Sequence, residues 1–175
     1  MKAATSQMRV LDSHRLMNEQ SIRKVFLNSL DNIYCIKEYL VDNLPIVANS
    51  ASFKNLKNAI LESVDEVKEQ VARLKSVFAL LNEEHKPSHC LGLKAYLVEA
   101  YRASKQPGLT DSESDFIILY HLKVLEGMEI VSYNNLFEMA GTMRNRELGI
   151  LLKQNLDMAK DNKELYDMIS TEYLA

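Results

Sequence analysis

Two long apolar stripes decide what this chain can fold into. Phe26, Leu30, Ile33, Lys37, Leu40 and Leu44 are separated by four, three, four, three and four residues, the spacing of one face of an α-helix. Phe53, Leu56, Ile60, Val64, Val67, Val71, Leu74, Phe78 and Leu81 keep the same rhythm over about eight turns. A first helix is expected from Ser21, closed by Pro45, because the residue before a proline is pushed out of the helical region. Residues 49–52 then make a turn, with Ser50 or Ser52 available to cap a second helix over 53–81. Two helices this long joined by a short turn form an antiparallel hairpin.

The remainder reads the same way. Residues 90–104 suit a shorter helix, and Lys105-Gln106-Pro107-Gly108 is the strongest break in the chain. Thr110 with Glu113 three residues on is a capping box that starts a fourth helix over 111–140, with Gly141 suited to its C-terminal cap. This helix is apolar on nearly every side, so it is expected to be the most enclosed. A fifth, over 144–171, turns Leu148, Leu151, Leu152, Met158, Leu165 and Ile169 inward. Only 5 glycines and 3 prolines occur among 175 residues, too little turn chemistry for a sheet protein. The expected class is all-α: an up-down four-helix bundle with an extra short helix in the crossover. It forms one domain over 21–175, preceded by a loosely docked arm over 1–20. An open helical array is the alternative architecture.

Lys and Arg total 21 against 24 Asp and Glu, a net charge of −3, so no basic field is present to hold nucleic acid. No stretch approaches the ~18 apolar residues of a membrane span, and the first residues lack the apolar run of a signal peptide. A soluble, cytoplasmic protein is expected. Cys35 and Cys90 suggest neither a disulfide framework nor a metal knuckle, and Cys35 reads as a packing residue. His14, His85, His89 and His121 are scattered, and none completes a Glu-x-x-His pair.

Function in a helical bundle is most readable where polar residues interrupt the apolar lines. Lys37 sits between Ile33 and Leu40 on the first stripe. Either it lies at the stripe's edge and reaches water, or it is paired inside with carboxylates. Glu126 has Leu119, Leu122, Ile130 and Tyr133 above and below it, and Glu129 is one turn further on. Such a pair needs cations, protons or hydrogen bonds, unless Glu129 faces water through a seam. Ser63, Glu66 and Gln70 line the shoulder of the second stripe. Asn155 and Asn162 interrupt the last helix, with Asp157 beside them.

Several of these segments together resemble a ferritin-like family that includes the bacterial proteins YciE and YciF. The resemblance spans 27–168 and rests on five pieces. These are Tyr34 to Leu44-Pro45; Glu66 with Gln70-Val71-x-Arg73-Leu74; Cys90-x-Gly92-Leu93-x-Ala95 with Glu99; Glu126-x-x-Glu129-Ile130-x-Ser132-Tyr133; and Leu151-Leu152-Lys153 with Leu156 and Lys160. It implies a ferritin-like bundle, a homodimer, a stress context and a two-metal carboxylate site. The retained metal-site candidates are Glu66, Glu126, Glu129 and Asp157, with Gln70 adjacent. The departures are Lys37 in place of a first-helix Glu, Gly127 in place of His, and Met158, Ala159 and Lys163 in place of acids. A di-cation site needs several anionic oxygens.

The expectation is therefore a non-catalytic bundle without a cofactor, whose interior holds a polar cluster of Lys37, Glu66, Gln70, Glu126 and Glu129. Lys37 is expected to bridge Glu126 with Glu66 or Glu129 and to depress the carboxylate pKa values. One competing expectation is an iron or manganese carboxylate protein with oxidase or peroxide-scavenging activity. Another is a helical adaptor that binds a partner in a groove.

Overall fold

Asn18 opens the first helix, its side-chain oxygen accepting the Ser21 backbone N–H at 2.8 Å. The computed structural model describes residues 17–86 and 90–175. Five helices follow in order: α1 (Glu19–Ser50), α2 (Lys54–Leu80), α3 (Leu91–Ser104), α4 (Asp111–Thr142) and α5 (Arg146–Glu172). Among the described residues there is no strand, so the chain is all-helical as expected. Most of the anticipated arm lies outside the described residues, while Glu19 and Gln20 already belong to α1.

Pro45 does not end α1, which continues to Ser50. An interior proline forfeits one backbone hydrogen bond and costs a helix about 3 kcal/mol. Leu44 and Val47, on either side of it, are buried, and such side chains contribute about 1.5–3 kcal/mol each. Packing on the inner face thus outweighs the local penalty. Neither Ser50 nor Ser52 caps α2. Instead Asp115 of α4, fully buried, accepts the Ser52 and Phe53 backbone N–H groups, both at 2.9 Å, and the Tyr173 hydroxyl at 3.1 Å. One carboxylate therefore joins the α1–α2 turn, α4 and the end of α5.

The Thr110–Glu113 capping box forms as expected. Gly141 is not the cap: α4 runs past it, and the chain reverses at Arg144, whose φ is 54°. Asn145 then caps α5 by accepting from Glu147 and Leu148 N–H at 3.1 and 3.3 Å.

The long helices meet pairwise: α1 packs on α2 and α4, and α5 packs on α2 and α4, while α3 lies against α4 and α1. Cross-helix pairs give the directions. Ser52 meets Asp115 and Lys37 meets Glu129, so α1 and α4 are antiparallel. Ser63 meets Tyr166 and Gln70 meets Asn155, so α2 and α5 are antiparallel. It follows that α2 and α4 run the same way, and the segment carrying α3 returns the chain along the molecule's length. α4 is not enclosed all round, because among the described residues no helix covers its outer side. Tyr120 and Val131 remain about 60% exposed there.

Cys35 and Cys90 are joined in a disulfide, contrary to expectation, with Cα atoms 6.3 Å apart and a sequence separation of 55. Spacing alone carries no sign of this pair, because it is made by packing α3 against α1. A closed loop of this length restricts the unfolded chain by about 4 kcal/mol in the chain-entropy account. Reduction, or the double change Cys35→Ser/Cys90→Ser, should lower the unfolding free energy by up to that amount with native helix content kept. Chemical denaturation followed by circular dichroism measures it.

Candidate functional site

Halfway along the bundle the core stops being purely apolar. Lys37 of α1 is fully buried, and its ammonium contacts Glu129 Oε2 of α4, which is also buried. The Lys37 nitrogen lies 5.9 Å from the centroid of the Tyr133 ring. Both acids of α4 point inward because positions 122, 126, 129 and 133 share one helical face, and Leu122, Glu126, Glu129 and Tyr133 are all buried. Lys37 is therefore inside, not at the edge of its stripe, and Glu129 does not reach water through a seam.

α5 supplies no charge to this interior. Its inward line is Leu152, Asn155, Ala159, Asn162, Tyr166 and Ile169, all buried. Asn155 Nδ2 donates to the Gln70 carbonyl at 3.3 Å, and Gln70 Nε2 donates to the Asn155 carbonyl at 3.4 Å, clamping α2 to α5. Asn155 Nδ2 also donates to the Tyr133 hydroxyl at 3.5 Å. Ser63 and Tyr166 share a hydroxyl hydrogen bond of 2.7 Å. The two phenols were not marked out by sequence as polar members of the cluster. Tyr166 follows Asn162 by four residues on the same line, which was the available signal.

Glu126 faces Glu129, Lys37, Glu66 and Asn162. Burial, reinforced by the neighbouring Glu129 carboxylate, pushes its pKa well above the ordinary carboxylate range, although Lys37 and Asn162 pull the other way. Glu66 is half-buried at the margin, and its pKa too is raised, first by burial, with Asn162 opposing. Lys37 thus does not depress Glu126: loss of solvation exceeds its attraction, because the ammonium is in direct contact with Glu129 instead. Burial likewise raises the pKa of Tyr133 and Tyr166, keeping both as neutral phenols.

The remaining expected residues stand apart. Asp157 turns outward and is bound by Lys153 at 2.6 Å, so it does not join the cluster. Lys163 pairs with Asp167 at 2.7 Å. At Gly127 an added Cβ would meet nothing within 4 Å. His85 is held by Asp31 at 2.9 Å and His121 by Tyr96 at 2.8 Å, both away from it.

These residues do not fit a pair of divalent ions. Of three interior-facing acids, Glu66 is half-exposed and Glu129 is already taken by an ammonium. α5 offers amides where carboxylates would be needed. Among the described residues no group of three or more His, Cys, Asp or Glu gathers as a metal site. What the arrangement holds is one buried ion pair and a neighbouring carboxyl whose pKa is raised by burial. Glu66 Oε2, Gln70 Oε1, Glu126 Oε2 and Glu129 Oε1 lack hydrogen-bond partners.

Residues 21–173 match the family described as a domain of unknown function, DUF892. The chain belongs to that family. Among solved structures it is similar to the Escherichia coli stress protein YciF, with 22% identity and a TM-score of 0.83 over 87% of this chain and 96% of that one. It is also similar to YcfI from Rhodopseudomonas palustris, whose description provisionally assigns it a structural role. There the identity is 20% and the TM-score 0.79 over 89% of this chain and 96% of that one. At such identities the likeness establishes the fold. No curated protein matches.

Two outcomes follow from the electrostatics. A carboxyl whose folded pKa is raised binds its proton more tightly in the native state, so stability falls as pH rises from the unfolded value through the folded one. Glu126→Gln should flatten that decline and leave the protein more stable at pH 8 than the parent, measured by denaturation across pH 5–8. Lys37→Met alone should cost about 3–5 kcal/mol by leaving Glu129 unpaired, and Lys37→Met/Glu129→Leu should restore most of the loss.

Proposed function

We propose that this chain is a ferritin-like four-helix bundle protein of the YciE/YciF type, with α3 as the extra helix of its crossover. In this reading it is non-catalytic and acts in a stress response through its surface. An internal Lys–Glu cluster replaces the two-metal carboxylate site. The observation that carries the reading is the burial of Lys37 against Glu129, in the volume where a metal pair would need anionic oxygens. One ammonium supplies a single positive charge where two divalent ions would bring four. The acids missing from α1 and α5 match that smaller charge, so the interior stays near balance without metal.

The stress context is suggested by the likeness to a protein described as a stress protein. The proposed cytoplasmic, homodimeric state is compatible with the chain's surface. No helix among the described residues is long and apolar enough to cross a membrane. The exposed Tyr120 and Val131 on α4 offer apolar area to a second copy. In a reducing compartment Cys35 and Cys90 would stand as thiols, which leaves the cluster untouched.

Metal analysis of protein purified from iron- and manganese-supplemented medium tests the proposal. Background metal is the expected result. More than one tightly held ion per chain would overturn it and favour an oxidase or peroxide-scavenging carboxylate protein.

A further inference from the structure

We propose that Lys37 and Glu129 form a covalent modification site, condensing into an internal amide between Lys37 Nζ and Glu129 Cδ that welds α1 to α4. The inference rests on the reading that Lys37 belongs to the interior cluster, and it goes beyond that reading in making the contact a bond.

Three observations support it. The two groups touch and are both buried, Lys37 at 0% and Glu129 at 1% exposure. The pair is poorly satisfied as ions. An ammonium carries three N–H donors, and among the described residues its one hydrogen-bond partner is Glu129, which itself has an unpartnered Oε1. A second carboxyl, Glu126, is buried one turn before Glu129 on the same face of α4 and has an unpartnered Oε2 of its own. Two charges held away from water with unmet donors and acceptors are costly. An amide removes both charges and leaves one N–H and one carbonyl to satisfy.

The chemistry balances without any outside reagent. A proton passes from the Lys37 ammonium to the Glu129 carboxylate, leaving a neutral amine beside a carboxylic acid. The Nζ lone pair attacks Cδ and a C–N bond forms. Glu126 takes the surplus proton from nitrogen through one oxygen and returns one to the departing hydroxyl from the other. The Cδ–O bond breaks and one water molecule leaves, with nothing oxidised or reduced. Two reactants held in contact by a folded core can have effective concentrations on the order of 10⁵–10⁸ M, far above what amide formation finds in free solution. Exclusion of water then opposes hydrolysis of the product.

Intact-mass spectrometry of the reduced, denatured full chain tests the proposal. The parent is expected to weigh one water molecule less than its sequence requires, and peptide fragmentation should join the segments bearing Lys37 and Glu129. Lys37→Arg keeps the positive charge but offers no nucleophilic amine, so it should fold and show the full mass. Glu126→Gln should show the deficit in a smaller fraction of molecules. Full mass in the parent overturns the proposal, as does a deficit that persists in Lys37→Arg, because the dehydration then lies elsewhere. An undiminished deficit in Glu126→Gln removes Glu126 from the step. Amine acylation of the native protein separates the two readings. Full mass with Lys37 protected sinks the amide and spares the interior cluster, whereas rapid acylation of Lys37 sinks both.

Discussion

The contact between Lys37 and Glu129 is the interaction around which the interior is organised. Two opposite charges out of reach of water are tolerable only as partners, so α1 and α4 must meet at this level and in this rotation. A shift of either helix by one residue would swing an ionised side chain into the apolar layers formed by Ile33, Leu40, Leu122 and Leu125. Hydrophobic contacts are forgiving about register, and a buried ion pair is not.

The second hairpin answers this pair with neutral groups. Asn155 and Asn162 of α5, with Tyr166 beyond them, face α2 residues Ser63 and Gln70, and the helices exchange amide and hydroxyl hydrogen bonds. Nothing on α5 adds a negative charge to the interior. Burial and the neighbouring Glu129 carboxylate instead raise the pKa of Glu126. The fold shared with YciF is thus combined here with an interior that buries a lysine against a glutamate.

Much of the fold is legible in the apolar spacing. The stripes through Phe26–Leu44 and Phe53–Leu81 locate α1 and α2, and Thr110 with Glu113 marks the start of α4 to the residue. The cluster is legible in part. Lys37, Glu126 and Glu129 stand out because each interrupts an apolar line, and all three are buried. Asp157 was misplaced because it neighbours the inward line of α5 without lying on it, and one residue on a helix is a rotation of about 100°. Pro45 and Gly141 misled for another reason: local backbone preference is worth less than the burial gained by extending a helix along the core.

Periodicity and composition by themselves determined that this chain is helical, where the long helices among the described residues run, and which polar residues interrupt their apolar lines. Those are local properties, set by the residue-to-residue geometry of a helix. Only the tertiary structure decided which inward groups meet: Lys37 with Glu129 and not Glu126, Cys35 with Cys90, and Asp115 with the α1–α2 turn. Each of these pairings joins residues more than fifty positions apart. Their partners depend on how the helices are brought together and rotated, which no single helix encodes.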